Sequence, residues 1–461
     1  MGGYDPPISW GAFTVAKSKA FYVCESCAYQ TPKWLGQCPA CGTWGSLNLT
    51  NGTTRKAAPP GEAPKMTRYA NVAVESAARY TSGSNELDRV LGGGLVPGSL
   101  LLIGGDPGIG KSTLMLQVAG HLQSLGKKVI YISGEESLSQ IKMRGERLGL
   151  SADDLMLLAE TSYEMVEQAL ESDSFDVALV DSIQTICSAN IPSAAGSVTQ
   201  VREVTTKLLH IAKTRGTTIF LVGHITKEGA IAGPKTLEHM VDGVFYFEGD
   251  KYHSLRLIRS QKNRFGPAQE LGIFQMESTG LKEVPNPSKV LLEQRPEASA
   301  GSVVVPTVEG SRPLMVEVQV LLSNSTYASP RRVTMGVDSN RLALIMAVLE
   351  KKAGLQLQGL DVFVNVVGGI AIQEPAIDLG LALAIYSSFR NLNLGSDIAV
   401  FGELGLAGEV RSVSQAGLRM KECVNLGFKR VVGPKGNAGD ALDELEVRGV
   451  TSLVDALEYV L

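Results

Sequence analysis

Lys111 and Ser112 are the residues whose type and spacing point most directly to chemistry. They end the pattern G-x-x-x-x-G-K-S, which begins at Gly105. An apolar run at 99–103 predicts a strand before this pattern, and the apolar residues of 114–119 predict a helix after it. A glycine-rich turn that contains a lysine by chance is the ordinary alternative, and the flanking elements argue against it. The order strand, glycine loop, helix predicts a phosphate-binding loop for a nucleoside triphosphate.

Each residue type in this loop has a physical reason. Glycines let backbone N–H groups approach phosphate oxygens without a Cβ in the way, and the following helix presents its positive end to the same anion. Lys111 is placed to reach the β- and γ-phosphates, and the Ser112 hydroxyl to ligate Mg²⁺. The predicted nucleotide contacts are Gly105, Asp106, Pro107, Gly108, Ile109, Gly110, Lys111, Ser112 and Thr113.

Polar residues follow three further strand-like segments. Asp181 ends an apolar run and is the expected second Mg²⁺ ligand beside Ser112. Hydrolysis also needs a group that orients or deprotonates water near the γ-phosphate. Glu135 follows the strand after the loop helix and is the preferred candidate, with Glu136 as its competitor. His224 ends a later strand, where it is either a γ-phosphate sensor or a structural histidine.

Four of the six cysteines form two close pairs with the spacing C-x₂-C-x₁₀-C-x₂-C. Four thiolates without an open position are typical of structural zinc, which would supply the folding free energy of so small a module. Two disulfides are the alternative, which a chain without an export signal makes less favourable. Trp34 and Trp44 flank the pairs and are expected to cover the metal. The predicted zinc ligands are Cys24, Cys27, Cys38 and Cys41.

Composition limits the class of protein. The chain has 461 residues, 44% of them hydrophobic, 20% charged, with a net charge of −4. This balance is typical of a globular protein of two or three domains, and any nucleic-acid surface must be local. No apolar run is long enough to cross a membrane, and the first residues lack the apolar core of a signal peptide. We therefore expect a cytoplasmic protein without a membrane partner.

Alternation of strands and helices from 99 to 224 predicts a parallel sheet whose ligands lie at the carboxyl ends of its strands. Between 241 and 281 short alternating strands predict an antiparallel edge on that sheet. Within it, 251–269 holds five cations and no acid. Lys262 and Arg264 are suited to reach a neighbouring subunit's nucleotide, although a solvated basic edge explains the same pattern. Beyond Pro285, mixed strands and helices predict a separate α/β domain.

Together these features resemble the bacterial RadA (Sms) family of RecA-like DNA repair ATPases, over nearly the whole chain. The motifs that carry the resemblance are the cysteine pairs, LDRVLGGG at 87–94, GEES at 134–137, GHITKEG at 223–229 and KNRFG at 262–266. The family implies a homo-hexameric ring that binds single-stranded and branched DNA, hydrolyses ATP and drives branch migration in homologous recombination. Recombinase or helicase proteins are its implied partners, and Zn²⁺ and Mg²⁺ with ATP or ADP its cofactors.

The resemblance also assigns roles residue by residue. It implies that Lys111, Ser112 and Asp181 hold ATP and Mg²⁺, and that Glu135 is the hydrolytic glutamate. Lys262 and Arg264 match cations that act across the subunit interface. The loop 226–238 takes the place of a DNA-binding loop, with Lys227 and Lys235 as phosphate contacts, unless it is an ordered structural loop. Arg331, Arg332, Lys351 and Lys352 are further DNA candidates.

The final domain is similar to the proteolytic domain of Lon, a likeness carried by 361–369 and 401–410. Lon uses a Ser–Lys dyad, in which an amine activates the hydroxyl. Here the place of the serine holds Ala376, and the place of the lysine holds Arg419, which stays protonated and cannot act as a base. Both departures argue against peptidase activity and favour a role in assembling the ring.

The predicted fold class is therefore α/β, a RecA-like P-loop ATPase core with an N-terminal zinc ribbon and a C-terminal Lon-like α/β domain. The expected divisions are an extension of unknown status (1–18), the Cys₄ zinc module (19–48), a linker (49–78), the ATPase domain (79–285) and the Lon-like domain without its dyad (286–461). The leading function is an ATP-driven motor on DNA. A signalling ATPase or autokinase that does not act on DNA, or an ATP-dependent peptidase, is the alternative.

Overall fold

A computed structural model provides the structure. It describes residues 21–24, 29–39, 42–50, 68–71, 79–150, 153–224, 234–249, 255–296, 299–327, 329–440 and 442–460. The sequence predictions for Cys27, Cys41, Lys227, the extension and most of the linker lie outside these residues. Where the structure describes the chain, no helix is both long and apolar enough to cross a membrane.

A small antiparallel sheet opens the described chain. Its strands are β1 (Phe21–Cys24), β2 (Gln30–Thr31) and β3 (Leu47–Thr50), in the order β2-β1-β3. Among its described residues, Cys24, Cys38 and Leu47 form the apolar centre, with Tyr22 packed against them. A single turn of 3₁₀ helix at Tyr69–Asn71 follows it.

The next region is built on a sheet of nine described strands with helices on both faces. The strand order is β12-β11-β10-β9-β4-β8-β7-β5-β6, in which β9 to β6 are mutually parallel and β10 to β12 are antiparallel. The strands are β4 (Leu100–Gly105), β5 (Val129–Ser133), β6 (Met156–Ala159), β7 (Val177–Asp181), β8 (Thr218–His224), β9 (Gly243–Glu248), β10 (Leu255–Asn263), β11 (Leu271–Glu277) and β12 (Gly280–Glu283).

Local sequence explains where the helices of this region begin and end. Ser84, Ser137 and Ser197 each accept a backbone N–H at a helix start, and Gly216 adopts the left-handed conformation that ends α5. Apolar side chains of β4, β5, β7 and β8 alternate between two core clusters, one on each face of the sheet. The helices are α1 (Asn85–Leu91), α2 (Lys111–Ser124), α3 (Leu138–Arg147), α4 (Tyr163–Ser172) and α5 (Val198–Arg215).

The C-terminal region contains a second sheet, whose described order is β15-β16-β14-β13-β17-β20-β21. Strands β18 and β19 form a separate hairpin. The strands are β13 (Ser302–Glu309), β14 (Arg312–Asn324), β15 (Arg332–Met335), β16 (Leu360–Val366), β17 (Ile398–Val400), β18 (Glu403–Leu404), β19 (Val410–Arg411), β20 (Arg430–Pro434) and β21 (Glu446–Val450). The helices are α6 (Pro287–Leu292), α7 (Ser339–Ala353), α8 (Asp378–Arg390), α9 (Ala416–Asn425) and α10 (Leu453–Val460).

One core joins the two large regions. Leu255 and Leu257 of β10, with Leu271 and Ile273 of β11, are buried in the same cluster as the strands and helices of the C-terminal sheet. Their neighbours on the opposite face, such as Ile258, belong to the core under the nucleotide-binding loop. Because side chains alternate along a strand, β10 and β11 contribute to both cores at once.

Most predicted elements are present close to their predicted positions, including the antiparallel edge after 241. Strand β6 was not predicted. Its two end residues are exposed and its two middle residues half-buried, and it has one neighbour, β5, at the edge of the sheet. A four-residue edge strand leaves little periodicity in the sequence.

Candidate nucleotide-binding site

The predicted phosphate-binding loop runs from the end of β4 to the start of α2. Gly105 has φ 158° and Gly110 has φ 120°. A Cβ on Gly105 would lie 2.8 Å from Cβ of Phe247, so only glycine fits at this position. Helix α2 begins at Lys111 without an acidic residue in its first turn. Its first N–H groups therefore face the loop as donors for an anion.

Lys111 is folded back onto its own loop. Its Nζ donates to the carbonyl oxygens of Gly105 (2.8 Å) and Asp106 (2.9 Å), and lies 3.2 Å from Nδ1 of His224. Burial lowers the pKa of Lys111 to about 8, although the nearby carboxylates of Asp181 and Glu135 oppose that effect. A phosphate would replace these weak carbonyl contacts with a full opposite charge.

Asp181 ends β7 and is 5% exposed. Its Oδ2 accepts the hydroxyl of Tyr131 at 2.7 Å, while its buried Oδ1 has no hydrogen-bond partner among the described residues. Burial and the Asp181 charge raise the pKa of Tyr131 well above its usual value, and Ser112 also lies within hydrogen-bonding reach of that hydroxyl. An unpartnered carboxylate oxygen close to a serine hydroxyl fits a Mg²⁺ site.

Glu135 and Glu136 face in different directions. Oε1 of Glu135 accepts the hydroxyl of Ser182 at 2.5 Å and lies 3.0 Å from Nε2 of His224. Glu136 instead forms an ion pair with Arg144 of α3. The structure therefore places Glu135 in the site and turns the side chain of its competitor away.

His224 connects the lysine to the glutamate. Because an ammonium group can only donate, Nδ1 of His224 accepts from Lys111, so Nε2 carries the proton that is donated to Glu135. The hydrogen bond from His224 is the largest cause that lowers the pKa of Glu135 to about 2, and Ser182 adds to it against the effect of burial. Glu135 is thus an ionised acceptor of low basicity.

Register explains why residues so far apart in sequence meet here. Gly105 lies opposite His224, and Ser133, two residues before Glu135, lies opposite Asp181. Since β4, β8, β7 and β5 are parallel neighbours, their carboxyl ends form one edge. Ligand atoms of Glu135, Asp181 and His224 lie within 4.8 Å of one another.

Three residues of this site were not predicted. Tyr131 holds Asp181, and Ser182 holds Glu135. Arg256 of β10 is buried, and its Nε donates to the carbonyl of Ile109 in the loop at 3.1 Å. The sequence does contain a signal for the first, because a tyrosine in an aliphatic buried strand needs a partner for its hydroxyl.

Lys262 and Arg264 lie away from the loop of their own chain. Lys262 pairs with Val244 across β10 and β9, and Val244 pairs with Leu102, three residues before Gly105. Strand geometry therefore separates Lys262 from the loop by about 10 Å along the strands and about 10 Å across the sheet. The displacement is toward the amino end of β4, whereas the loop follows its carboxyl end. Lys262 donates to backbone carbonyls there, and Arg264 binds Asp242.

The described cysteines form the centre of the small N-terminal sheet. Cys24 is 0% and Cys38 1% exposed, and both belong to one cluster. The backbone N–H of Cys24 donates to the carbonyl of Tyr29, and the N–H of Gly42 donates to the carbonyl of Cys38.

Of the two positions that correspond to the Lon dyad, Ala376 and Arg419, the second forms a structural ion pair with Glu374. Ala376 is 1% exposed in a 3₁₀ turn (Pro375–Ile377) before α8, and Arg419 of α9 is equally buried. Two nitrogens of Arg419 donate to the two oxygens of Glu374, at 2.7 and 2.6 Å. A third contact runs to the carbonyl of Pro306 at 2.8 Å. Neither a nucleophile nor a free base is present at these two positions.

The remaining described DNA candidates lie in a 3₁₀ turn, at β15 and on α7. Lys235 is exposed in a 3₁₀ turn (Pro234–Thr236), and Lys351 and Lys352 are adjacent on α7. Arg331 is half exposed but binds Asp361 at 2.8 Å, and Arg332 donates to backbone carbonyls.

Comparisons with protein families agree with this architecture. The family described as KaiC matches 80–270, the rubredoxin metal binding domain matches 22–48, and subunit ChlI of Mg-chelatase matches 337–437. The fold and the site thus define a P-loop ATPase of the RecA/KaiC class, with an N-terminal metal-binding ribbon and a C-terminal ChlI/Lon-like α/β domain. The predicted fold class is confirmed.

Curated relatives match over nearly their full length. The DNA repair protein RadA of Halalkalibacterium halodurans is 50% identical over 97% of this chain and 100% of its own. RadA of Listeria monocytogenes is 47% identical over 97% and 99%, and RadA of Bacillus subtilis 46% identical over 96% and 99%. The chain belongs to the RadA family of DNA repair proteins, as its motifs predicted. Among solved structures, the RadB recombinase aligns with 44% of this chain and 99% of its own, at 24% identity and a TM-score of 0.35.

Proposed function

We propose that this protein is an ATP-driven motor that acts on single-stranded and branched DNA in the cytoplasm. It works as a homo-hexameric ring and drives branch migration during homologous recombination, together with recombinase or helicase proteins. The observation that supports it best is the convergence of Lys111, Glu135, Asp181 and His224 at one edge of the sheet, in a chain whose relatives are named DNA repair proteins.

The site suggests how its residues divide the work. Asp181, through its unpartnered Oδ1, and the hydroxyl of Ser112 would hold Mg²⁺, which neutralises charge on the phosphates when it is bound with ATP. Lys111 leaves the carbonyls of its loop for the β- and γ-phosphates. The backbone N–H groups of 105–113, which Pro107 lacks, surround the same phosphates, and Arg256 supports the loop through its hydrogen bond to Ile109.

Glu135 is the water-orienting residue in this proposal. Its low pKa means that it accepts a hydrogen bond from water rather than removing a proton in the ground state. Ser182 and His224 keep its carboxylate at the site, and movement of Lys111 to the phosphates frees Nδ1 of His224, which makes it a candidate sensor.

A ring is supported by the location of Lys262 and Arg264, because neither cation lies near the nucleotide site of its own chain. Contacts from a neighbouring copy would bring them to a γ-phosphate, the role of an arginine finger. Within the ring, Lys227, Lys235, Arg331 and Arg332 remain the proposed DNA contacts. The four cysteines are proposed to hold one structural Zn²⁺, which fits the buried sulfurs of Cys24 and Cys38.

ATP turnover with and without single-stranded DNA, at two salt concentrations, tests this function. We expect DNA to stimulate turnover and the stimulation to weaken as salt rises, because cations that bind phosphates release counterions. Lys111→Ala, folded as judged by circular dichroism, should abolish both rates. A labelled four-way junction then tests branch migration directly. Turnover indifferent to DNA at both salt concentrations would favour a signalling ATPase instead.

A further inference from the structure

A buried carboxylate lies at the sheet edge opposite the nucleotide site. Asp242 precedes β9 and is 3% exposed. Its Oδ2 accepts the backbone N–H of Leu100, at the start of β4, at 3.0 Å and Nζ of Lys213 at 2.6 Å. Its Oδ1 accepts Nη1 of Arg264 at 3.1 Å. The carboxylate thus links the start of β4 to Arg264, one of the two cations of the KNRFG motif at 262–266.

Arg264 is held by the backbone of the same residue. Its N–H donates to the carbonyl of Asp242 at 3.0 Å, so both its main chain and its side chain are fixed by one residue. The side chain is nevertheless 57% exposed. A guanidinium carries five N–H donors, and this ion pair occupies one of them. The others are available to an anion outside the chain.

Lys262 is held in the same way by the preceding residues. Its Nζ donates to the carbonyls of Glu238 (2.7 Å) and Val241 (2.9 Å), which leaves one of its three donors. Glu238 is fixed in turn, because its Oε1 accepts the hydroxyl of Tyr246 at 2.8 Å. The segment 238–242 therefore binds both cations of the motif.

Lys262 and Arg264 carry like charges, so holding them side by side requires the contacts from 238–242. Burial and the charge of Arg264 lower the pKa of Lys262. Burial opposes ionisation of Asp242, yet the bonds from Lys213, Leu100 and Arg264 outweigh it and lower the pKa of Asp242. Long cationic side chains are otherwise free to rotate, and fixing them before the reaction removes that entropic cost from the transition state.

We propose that Asp242 is a positioning residue for ATP hydrolysis at the neighbouring subunit. With the carbonyls of Glu238 and Val241, it holds Arg264 and Lys262 where their remaining donors meet the phosphates bound by the next copy of the chain. This inference rests on the proposed ring, in which those two cations act across the subunit interface. Asp242 itself touches neither nucleotide.

Mixed assemblies of two variants test the inference. Asp242→Asn keeps its own P-loop, so its affinity for ATP should be unchanged while kcat falls at least tenfold. Lys111→Ala has no turnover of its own but keeps Asp242 and both cations. In an equal mixture, half the subunits have an intact P-loop, and half of these face a Lys111→Ala neighbour. We expect turnover to recover to about one quarter of the parent rate, since each site meets one neighbour in a ring.

Lys213→Met is the matched control. It removes the cation from Oδ2 of Asp242 but keeps the ion pair with Arg264, so its kcat should stay near that of the parent. Circular dichroism and thermal unfolding check that each variant is folded. If Asp242→Asn does not fold, Tyr246→Phe replaces it, because it releases Glu238 and should lower kcat with the same recovery in mixtures.

Mixtures of Arg264→Ala with Lys111→Ala distinguish the role of Asp242 from the proposed ring. Recovery there, together with a normal kcat for Asp242→Asn, would overturn the role of Asp242 and leave the proposed ring intact. A low kcat for Asp242→Asn that no mixture restores, while Arg264→Ala mixtures recover, would show that Asp242 acts only within its own chain and would likewise overturn it. Absence of recovery with Arg264→Ala would overturn both proposals.

Discussion

Arg419 provides the sharpest test of how the C-terminal region is stabilised. Its guanidinium makes four contacts: two to Glu374 (2.7 and 2.6 Å), one to Pro306 (2.8 Å) and one to Ser414 (3.2 Å). Arg419→Ala would leave the carboxylate of Glu374, 20% exposed, with only the hydroxyl of Thr307 and one backbone N–H as donors.

The expected cost follows from burial. Removal of one partner from a buried ion pair lowers the free energy of unfolding by about 3–5 kcal/mol, because an uncompensated charge stays inside. Arg430 is the matched control, since it forms an equally bidentate pair with Asp397, at 2.9 and 2.8 Å, but both side chains are more than a third exposed. Arg430→Ala should cost about 1 kcal/mol or less.

Urea unfolding of the full chain, followed by circular dichroism, measures both variants against the parent. Equal losses of unfolding free energy for the two variants, or a loss below about 1 kcal/mol for Arg419→Ala, the value of a surface pair, would contradict the expected effect of burial. Arg419→Lys restores the residue type of a Lon dyad, yet it should show no peptidase activity, because Ala376 carries no hydroxyl.

Three further outcomes are expected. Glu135→Gln should lower kcat by about 10²–10⁴. Glu136→Gln, which alters an ion pair with Arg144, should stay near the parent, and equal effects on turnover would contradict the assignment. The pKa of Lys111 is about 8 before binding, and a bound phosphate favours its charged form, so the affinity for ADP should fall as pH rises above 8. Calorimetry at pH 8.5 in two buffers should then detect proton uptake on binding. If no proton is taken up, Lys111 is already charged at that pH. Cys38→Ala should release the bound zinc, measured by atomic absorption, and change the fluorescence of Trp34 and Trp44, and unchanged metal content would exclude Cys38 as a ligand.

The nucleotide loop could be predicted from sequence because its chemistry is local. Glycines, Lys111 and Ser112 must follow one another to surround a phosphate, so the pattern is visible in a short stretch. The partners Asp181 and His224 were found by a general rule, that parallel strands place their carboxyl ends on one edge. Neither step required knowledge of the tertiary structure.

Contacts that depend on register were beyond the sequence. In the sequence, Arg256 belongs to a basic stretch. Only the folded structure, in which β10 pairs with β9, shows that its side chain donates to the carbonyl of Ile109 in the loop. Glu135 and Glu136 are chemically identical neighbours, and the position of Arg144 distinguishes them. The prolines near 285 predicted a domain division at that point, a boundary that stays a prediction.

The core shared by β10, β11 and the C-terminal sheet has a mechanical consequence. Because Leu255, Leu257, Leu271 and Ile273 are buried against the C-terminal strands, a fragment cut near 285 would expose a broad apolar face and tend to aggregate. In the intact chain, the same packing joins the described residues on the two sides of this junction. We therefore expect any movement of β10 and β11 to be transmitted directly to the C-terminal sheet.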